Sequence, residues 1–164
     1  AQPVKNQGKI DYAACAGSSG GSWNGIMIRR AMGVVGFAEI RDGSSNTLMV
    51  GDKQLNINKL GTTYDDNEPC VSTGWETDIY RISGSLNTSA NTISSPPKPD
   101  SEHVSYTHSD PNASASCYGS SHSGAFNVAL SDGSCRTISY SIDPTTFYRL
   151  CVRNDGQPVN LAGQ

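Results

Sequence analysis

The sequence predicts an α+β domain dominated by antiparallel β-sheet, with long polar loops and a short C-terminal helix. Three observations predict it. Only 35% of the 164 residues are hydrophobic and 7% aromatic, while Gly, Ser, Thr and Asn are plentiful and long apolar runs are absent; such a chain suits short strands and turns better than a helical bundle. The stretch "AFNVALSDGSCRTISY" (125–140) places an Asp-Gly turn between two alternating segments. Finally, "IDPTTFYRL" (142–150) reads as a short helix: Asp143 can cap its free N–H groups, and Pro144 sits at its first position. The length suits one domain, residues 1–164.

Taken in order, "GKIDYAACAG" (8–17) reads as a short strand ending in a turn, followed by the loop "SSGGSWNG" (18–25). "IMIRRAMGVVGFAEI" (26–40) is apolar with two interior glycines and two basic residues, and the expectation here is strands. "RDGSSNT" (41–47) suits a tight reversal at Asp42-Gly43. "LMVGDKQL" (48–55) is a buried strand that turns polar at its end, and "TTYDDNEPCVSTGW" (62–75) is an acidic loop. Residues 84–116, rich in Ser, Thr, Asn and Pro, are expected as an irregular surface excursion. Asp132-Gly133 is expected as a type I′ turn, which needs positive φ at both central positions. A second Asp-Gly turn falls in "RNDGQPV" (153–159).

The net charge of −3 gives no reason to expect nucleic acid, which attracts basic surfaces. No stretch approaches the ~20 apolar residues of a membrane span. Cys15, Cys70, Cys117, Cys135 and Cys151 are widely spaced and form no C-x-x-C pair. Disulfides in an oxidising compartment are therefore expected, at least one, with an odd thiol left over. Cys117 and Cys135 flank the 125–131 strand and can bond only if the loop before it turns back. Cys70 and Cys151 are alternative partners for either.

No catalytic cluster stands out. "GSSGG" (17–21) matches G-x-S-x-G formally, but a glycine- and serine-rich loop follows where a nucleophile elbow needs a helix. His103, His108 and His122 are not spaced to share a helical face. His122 and Asp132 lie at opposite ends of a strand, so they cannot pair directly unless the loop folds back. Asp65, Asp66 and Glu68 in "YDDNEP" offer hard oxygen donors that could hold calcium, though a solvated acidic loop is the plainer reading. Trp23, Trp75 and Tyr80 lie in or near polar loops and could offer apolar faces to sugar rings.

Several segments together resemble one family. "DYAACAG", "EIRDGSSNTLMVGDK", "DDNEPCVSTGWETDIYR" and "GSSHSGAFNVALSDGSCRTISYSIDPTTFYRLCVRNDGQPV" are similar, in order, to the prepilin-type proteins abundant in planctomycete bacteria. Their signature is a His, nine residues, then Asp-Gly, here His122, Asp132 and Gly133. The resemblance implies a pilin-like globular head whose N-terminal hydrophobic helix is absent from this chain. It further implies a non-catalytic, extracytoplasmic structural or assembly role in a type II secretion or type IV pilus-like system. The partners would be other pilin-like subunits or secretion machinery, and the precursor would be anchored in the membrane by the missing helix. A cysteine preceding the head could then partner the odd one here. The family also carries a solute-binding label, so the alternative is an extracellular ligand-binding module for carbohydrate or another solute, with or without calcium. His122 is expected to fix the loop that leads into the Asp132-Gly133 hairpin.

Overall fold

The computed structural model describes residues 9–19, 21–58, 60, 79–103 and 117–161. Among the described residues there are eight strands and α-helices: β1 (Tyr12–Cys15), β2 (Leu48–Asp52), β3 (Tyr80–Arg81), β4 (Leu86–Asn87), β5 (Thr92–Ile93), β6 (Ala125–Leu130), β7 (Cys135–Ser139) and α1 (Pro144–Cys151). Five strands form one sheet in the order β3-β1-β2-β6-β7, and β4 and β5 pair separately. Every pairing in the large sheet is antiparallel except β1 with β3. The predicted α+β class, with the sheet dominant and one short C-terminal helix, is what the chain adopts.

The core follows from alternation. In "AFNVAL" every second residue points inward, so Phe126, Val128 and Leu130 are buried while Asn127 faces water. Ile138 from β7 and Leu48 from β2 join them. The helix α1 covers this face with Phe147, Leu150 and Cys151, spaced about one helical turn apart. Phe126 sits centrally. It stacks on Tyr118 and Tyr140 at 6.1 and 5.7 Å and meets Phe147 edge-on at 6.1 Å. The helix starts where the sequence says it should. Asp143 accepts from the Thr146 N–H at 2.8 Å and its hydroxyl at 3.0 Å, and Pro144 follows at the first position. The same carboxylate takes the Asn91 amide at 2.6 Å, tying the β4–β5 turn to the helix start. These donors hold the Asp143 carboxyl below the usual carboxylate range.

Four expectations are corrected. Residues 26–40 form no strand: they run as an exposed loop with single 3₁₀ turns at Arg30–Met32 and Phe37–Glu39. The alternation a half-buried strand needs is missing from "IMIRRAMGVVGFAEI", and its glycines break any pairing. The 84–103 part of the polar excursion is more ordered and more buried than expected. Ile93, Ser95, Pro97, Pro99 and Asp100 lie inside, because this segment runs alongside 117–120 through Lys98 N–H to Tyr118 O (3.0 Å) and Asp100 N–H to Ser120 O (2.9 Å). The Asp-Gly turn is not type I′. Gly133 has φ +84°, as expected, but Asp132 is not left-handed. Gly133 N–H donates to Leu130 O at 2.9 Å, so Ser131 and Asp132 form the corners, and the glycine closes a three-residue loop as a bulge. The aspartate stabilises this form by accepting from the Ser134 N–H and hydroxyl at 2.9 and 2.7 Å.

The fourth correction concerns sulfur. Cys15, Cys117, Cys135 and Cys151 carry free thiols. Cys117 is buried at the entry to the bridge with Lys53, whereas Cys135 is exposed at the turn end of β7, so the loop never brings the two together. Burial pushes the Cys117 thiol up to about 11 and the Cys151 thiol well above its usual range, so both stay protonated. The Cys15 thiol donates to Cys151 O at 3.4 Å. Cys70 lies outside the described residues.

Two buried polar groups fasten the periphery. Asp42, only 4% exposed, accepts from Asp155 N–H at 2.9 Å and Gly156 N–H at 2.8 Å, clasping the second Asp-Gly turn. Arg81 is fully buried and donates to Cys117 O (2.9 Å), Tyr80 O (3.0 Å) and Gln54 O (3.5 Å), joining β3 to the chain on either side of the sheet's centre.

Candidate functional site

At its polar end, "LMVGDKQL" leaves the sheet. Lys53 N–H bonds Asp11 O at 2.9 Å and pairs with Tyr118, after which Gln54 N–H takes Cys117 O at 3.2 Å. The chain is then drawn inward by Asp100, whose Oδ1 accepts from Leu55 N–H at 2.9 Å. This departure opens a cleft of about 430 Å³ beside the start of β1. Its walls are Asp11 and Tyr12 from the N-terminal end of β1, Asp52 and Lys53 from the end of β2, Leu55, Ile57 and Leu60 beyond it, Asp100, the 119–122 segment and Asn127.

The loop carrying His122 forms one wall, and its shape is set by its serines. Ser120 N–H donates to Tyr140 Oη at 2.9 Å, and its hydroxyl donates to Ala125 O at 3.0 Å while accepting from His122 N–H at 3.1 Å. Ser121 Oγ donates to Asp100 Oδ2 at 2.9 Å. Both Asp100 oxygens are therefore committed to structure. The His122 side chain is exposed and makes no hydrogen bond among the described residues. The loop holds His122, rather than the reverse.

The remaining chemistry is mixed. Asp11, Asp52 and Asp100 set three carboxylates against one ammonium, Lys53, which is only 2% exposed. Asp52 Oδ2 accepts from Asn127 N–H at 2.8 Å, bracing the junction of β2 and β6. Over these groups stand Tyr12, Ile57 and Leu60, each 53% exposed, an apolar rim in contact with water. Among the described residues, no three His, Cys, Asp or Glu side chains gather closely enough to hold a metal ion.

The residues singled out from sequence fall in different places. His122 lines the cleft, but Asp132 and Gly133 sit at the other end of β6 and do not. Ser134 holds the Asp132 carboxyl below the usual range, and that group serves the turn. Trp23 is half-buried at φ +48° with the Arg29 guanidinium 5.4 Å from its ring centre, and Tyr80 is half-buried opposite Ala14 in the sheet; neither lines the cleft. Trp75, and the calcium candidates Asp65, Asp66 and Glu68, lie outside the described residues. Ser19 of "GSSGG" lies in an exposed turn, where its hydroxyl contacts Ser22 Oγ at 2.7 Å and accepts from Gly21 and Ser22 N–H. Sequence reading missed Tyr12, Asp52, Lys53 and Asp100. The polar end of "LMVGDKQL" was the visible signal for two of them.

The fold and cleft define a sheet-dominated α+β domain with a polar, acid-biased hollow beside its central strands. A family model described as "Protein of unknown function (DUF1559)" matches residues 5–145, most of the chain, and the chain belongs to that family, which is also labelled as solute-binding. No curated protein and no solved structure matches it.

Proposed function

We propose that this domain is the non-catalytic head of a pseudopilin-like assembly protein, working outside the cytoplasm in a type II secretion or type IV pilus-like system. An apolar helix preceding the head would anchor its precursor in the membrane. The observation that carries this reading is the 26–40 loop. Met27, Met32, Val34 and Phe37 are 41%, 58%, 88% and 81% exposed, all within one connection of a well-packed domain. Isolated exposed apolar residues are ordinary, but a run of them marks a surface made to be covered by protein or membrane. The His122 signature fits the same reading as a structural element, the entry to the β6–β7 hairpin.

The test is the native protein. N-terminal sequencing of material isolated from the source envelope should find a processed apolar helix ahead of the head. A freely secreted chain cut from an ordinary signal peptide would end the assembly reading.

A solute-binding role is the second reading, favoured by the cleft. Tyr12 offers an aromatic face beside acceptor carboxylates, a combination suited to a sugar ring. A glycan array with wild type and Tyr12→Ala tests it. Retained binding in the variant would discard the cleft as the site.

A further inference from the structure

The exposed 26–40 loop and the cleft are complementary in both charge and polarity. Residues 26–40 contain Arg29 and Arg30 against Glu39 alone. Since the whole chain has 12 basic and 15 acidic side chains, the remainder holds ten against fourteen. A basic, apolar loop therefore projects from an acidic domain. The cleft mirrors it: Asp11 and Asp52 line it beneath the exposed rim of Tyr12, Ile57 and Leu60, while Asp100 and Lys53 in its wall are buried.

We propose that the occupant of the cleft is the 26–40 loop of a second copy of this chain. Val34 and Phe37 of one copy cover the Tyr12–Ile57–Leu60 rim of the next, and Arg30 meets Asp11. The two surfaces lie at opposite ends of β1. Tyr12 opens the strand at the cleft, whereas Cys15 O at its close accepts from Met27 N–H at 2.9 Å, where the loop departs. Unlike surfaces on one molecule make a head-to-tail contact, which extends into rings or filaments rather than stopping by symmetry. Burial of the five apolar rim and loop residues supplies the attraction, and the opposed charges set its register and suppress wrong partners. The inference rests on the assembly reading and names its partner surface.

Analytical ultracentrifugation of the chain up to about 1 mM, the regime of weak contacts, provides the test. Wild type should show average mass rising with concentration. Arg30→Glu and Asp11→Arg should each weaken association at least tenfold. Among the described residues neither side chain makes a hydrogen bond, so circular dichroism melts should be unchanged. An equimolar mixture of the two variants should recover association, because each loop then meets an opposite charge in the other's cleft. Recovery would support the pairing; association indifferent to both charges, or two weakened variants that stay weak when mixed, would overturn it while leaving the assembly reading standing. Absence of a processed apolar helix in the native protein would instead remove that reading, whatever the heads do. Phe37→p-benzoylphenylalanine adds a direct readout: irradiation should crosslink it to residues 12–60 of another copy. Loop-dependent pelleting with phosphatidylglycerol vesicles that ignores Asp11→Arg would assign the loop to a membrane and overturn the proposal.

Discussion

Two apolar stretches of this chain have opposite fates. "AFNVAL" is short, strictly alternating and free of glycine; its three inward residues form the centre of the core. "IMIRRAMGVVGFAEI" is longer and carries ten apolar residues, yet Arg29 through Val34 and Gly36 through Glu39 are all exposed. Composition alone does not decide burial. A strand buries side chains only when period-two alternation lets one face contact the core while the ladder satisfies its backbone. The loop has neither, and its apolar side chains remain available to something else. The same substitution made in the two stretches should therefore have very different consequences.

The largest contrast is Phe126→Ala against Phe37→Ala. Phe126 is fully buried against three aromatic rings, and its truncation should cost about 3–5 kcal/mol. Phe37 is 81% exposed, so its loss should lie within about 0.5 kcal/mol. Urea midpoints for both variants check this. Comparable losses would mean the loop packs against the domain in solution. Next comes Asp42→Ala, which leaves the Asp155 and Gly156 N–H groups without an acceptor. The expected cost is about 1–3 kcal/mol, with faster amide exchange confined to 153–157. Burial beside Asp42 raises the Asp155 carboxyl. A raised folded value means this group favours folding below the ordinary carboxylate range, and that the advantage is lost as pH rises through the folded value. Asp155→Asn should thus flatten the pH dependence on that side.

Gly133→Val tests the hairpin that ends "AFNVAL". Nothing crowds the position, but φ is +84°, so the expected cost of about 1–2 kcal/mol is purely conformational. A neutral result would mean the turn relaxes to another form. Asp143→Ala should lose about 1 kcal/mol of helix capping. Its carboxyl is depressed, so its contribution is present above the ordinary carboxylate range and lost as pH falls through the folded value. The variant's melting temperature should accordingly fall less than wild type's between neutral pH and the acid side of that range. Equal falls would show that the cap does not carry the acid sensitivity.

The regions legible from sequence are those where local chemistry and burial agree. Asp143-Pro144 announced α1, alternation announced β6 and β7, and the polar end of "LMVGDKQL" announced where β2 leaves the sheet. What was not legible depends on distant partners. Asp100 looks like one polar residue in a polar excursion, and its burial follows only from Leu55 and Ser121 arriving from elsewhere in the chain. Tyr12 looks like a strand residue until the departure of 53–58 leaves its ring at a cleft. The disulfide expectation failed for the same reason: cysteine spacing carries no information about which side of the sheet a thiol faces.

His122 gives the smallest expected effect and the most pointed one. The sequence places it in the loop before the hairpin and suggests that it fixes that loop, in which case its removal would cost a hydrogen bond. The structure gives the fixing to Ser120 and Ser121 and leaves the imidazole in water at the cleft wall. His122→Ala should then change stability by no more than about 0.5 kcal/mol, as for other exposed positions. Ser120→Ala, made as a partner variant, loses the hydroxyl's donation to Ala125 O and leaves the His122 N–H without its acceptor, and should cost about 1 kcal/mol. Denaturant midpoints of the two variants rank the residues directly. A histidine variant that proves the more damaging would return the loop's architecture to the imidazole. A histidine variant that is silent in stability but weakens self-association would place its ring at the contact the cleft makes.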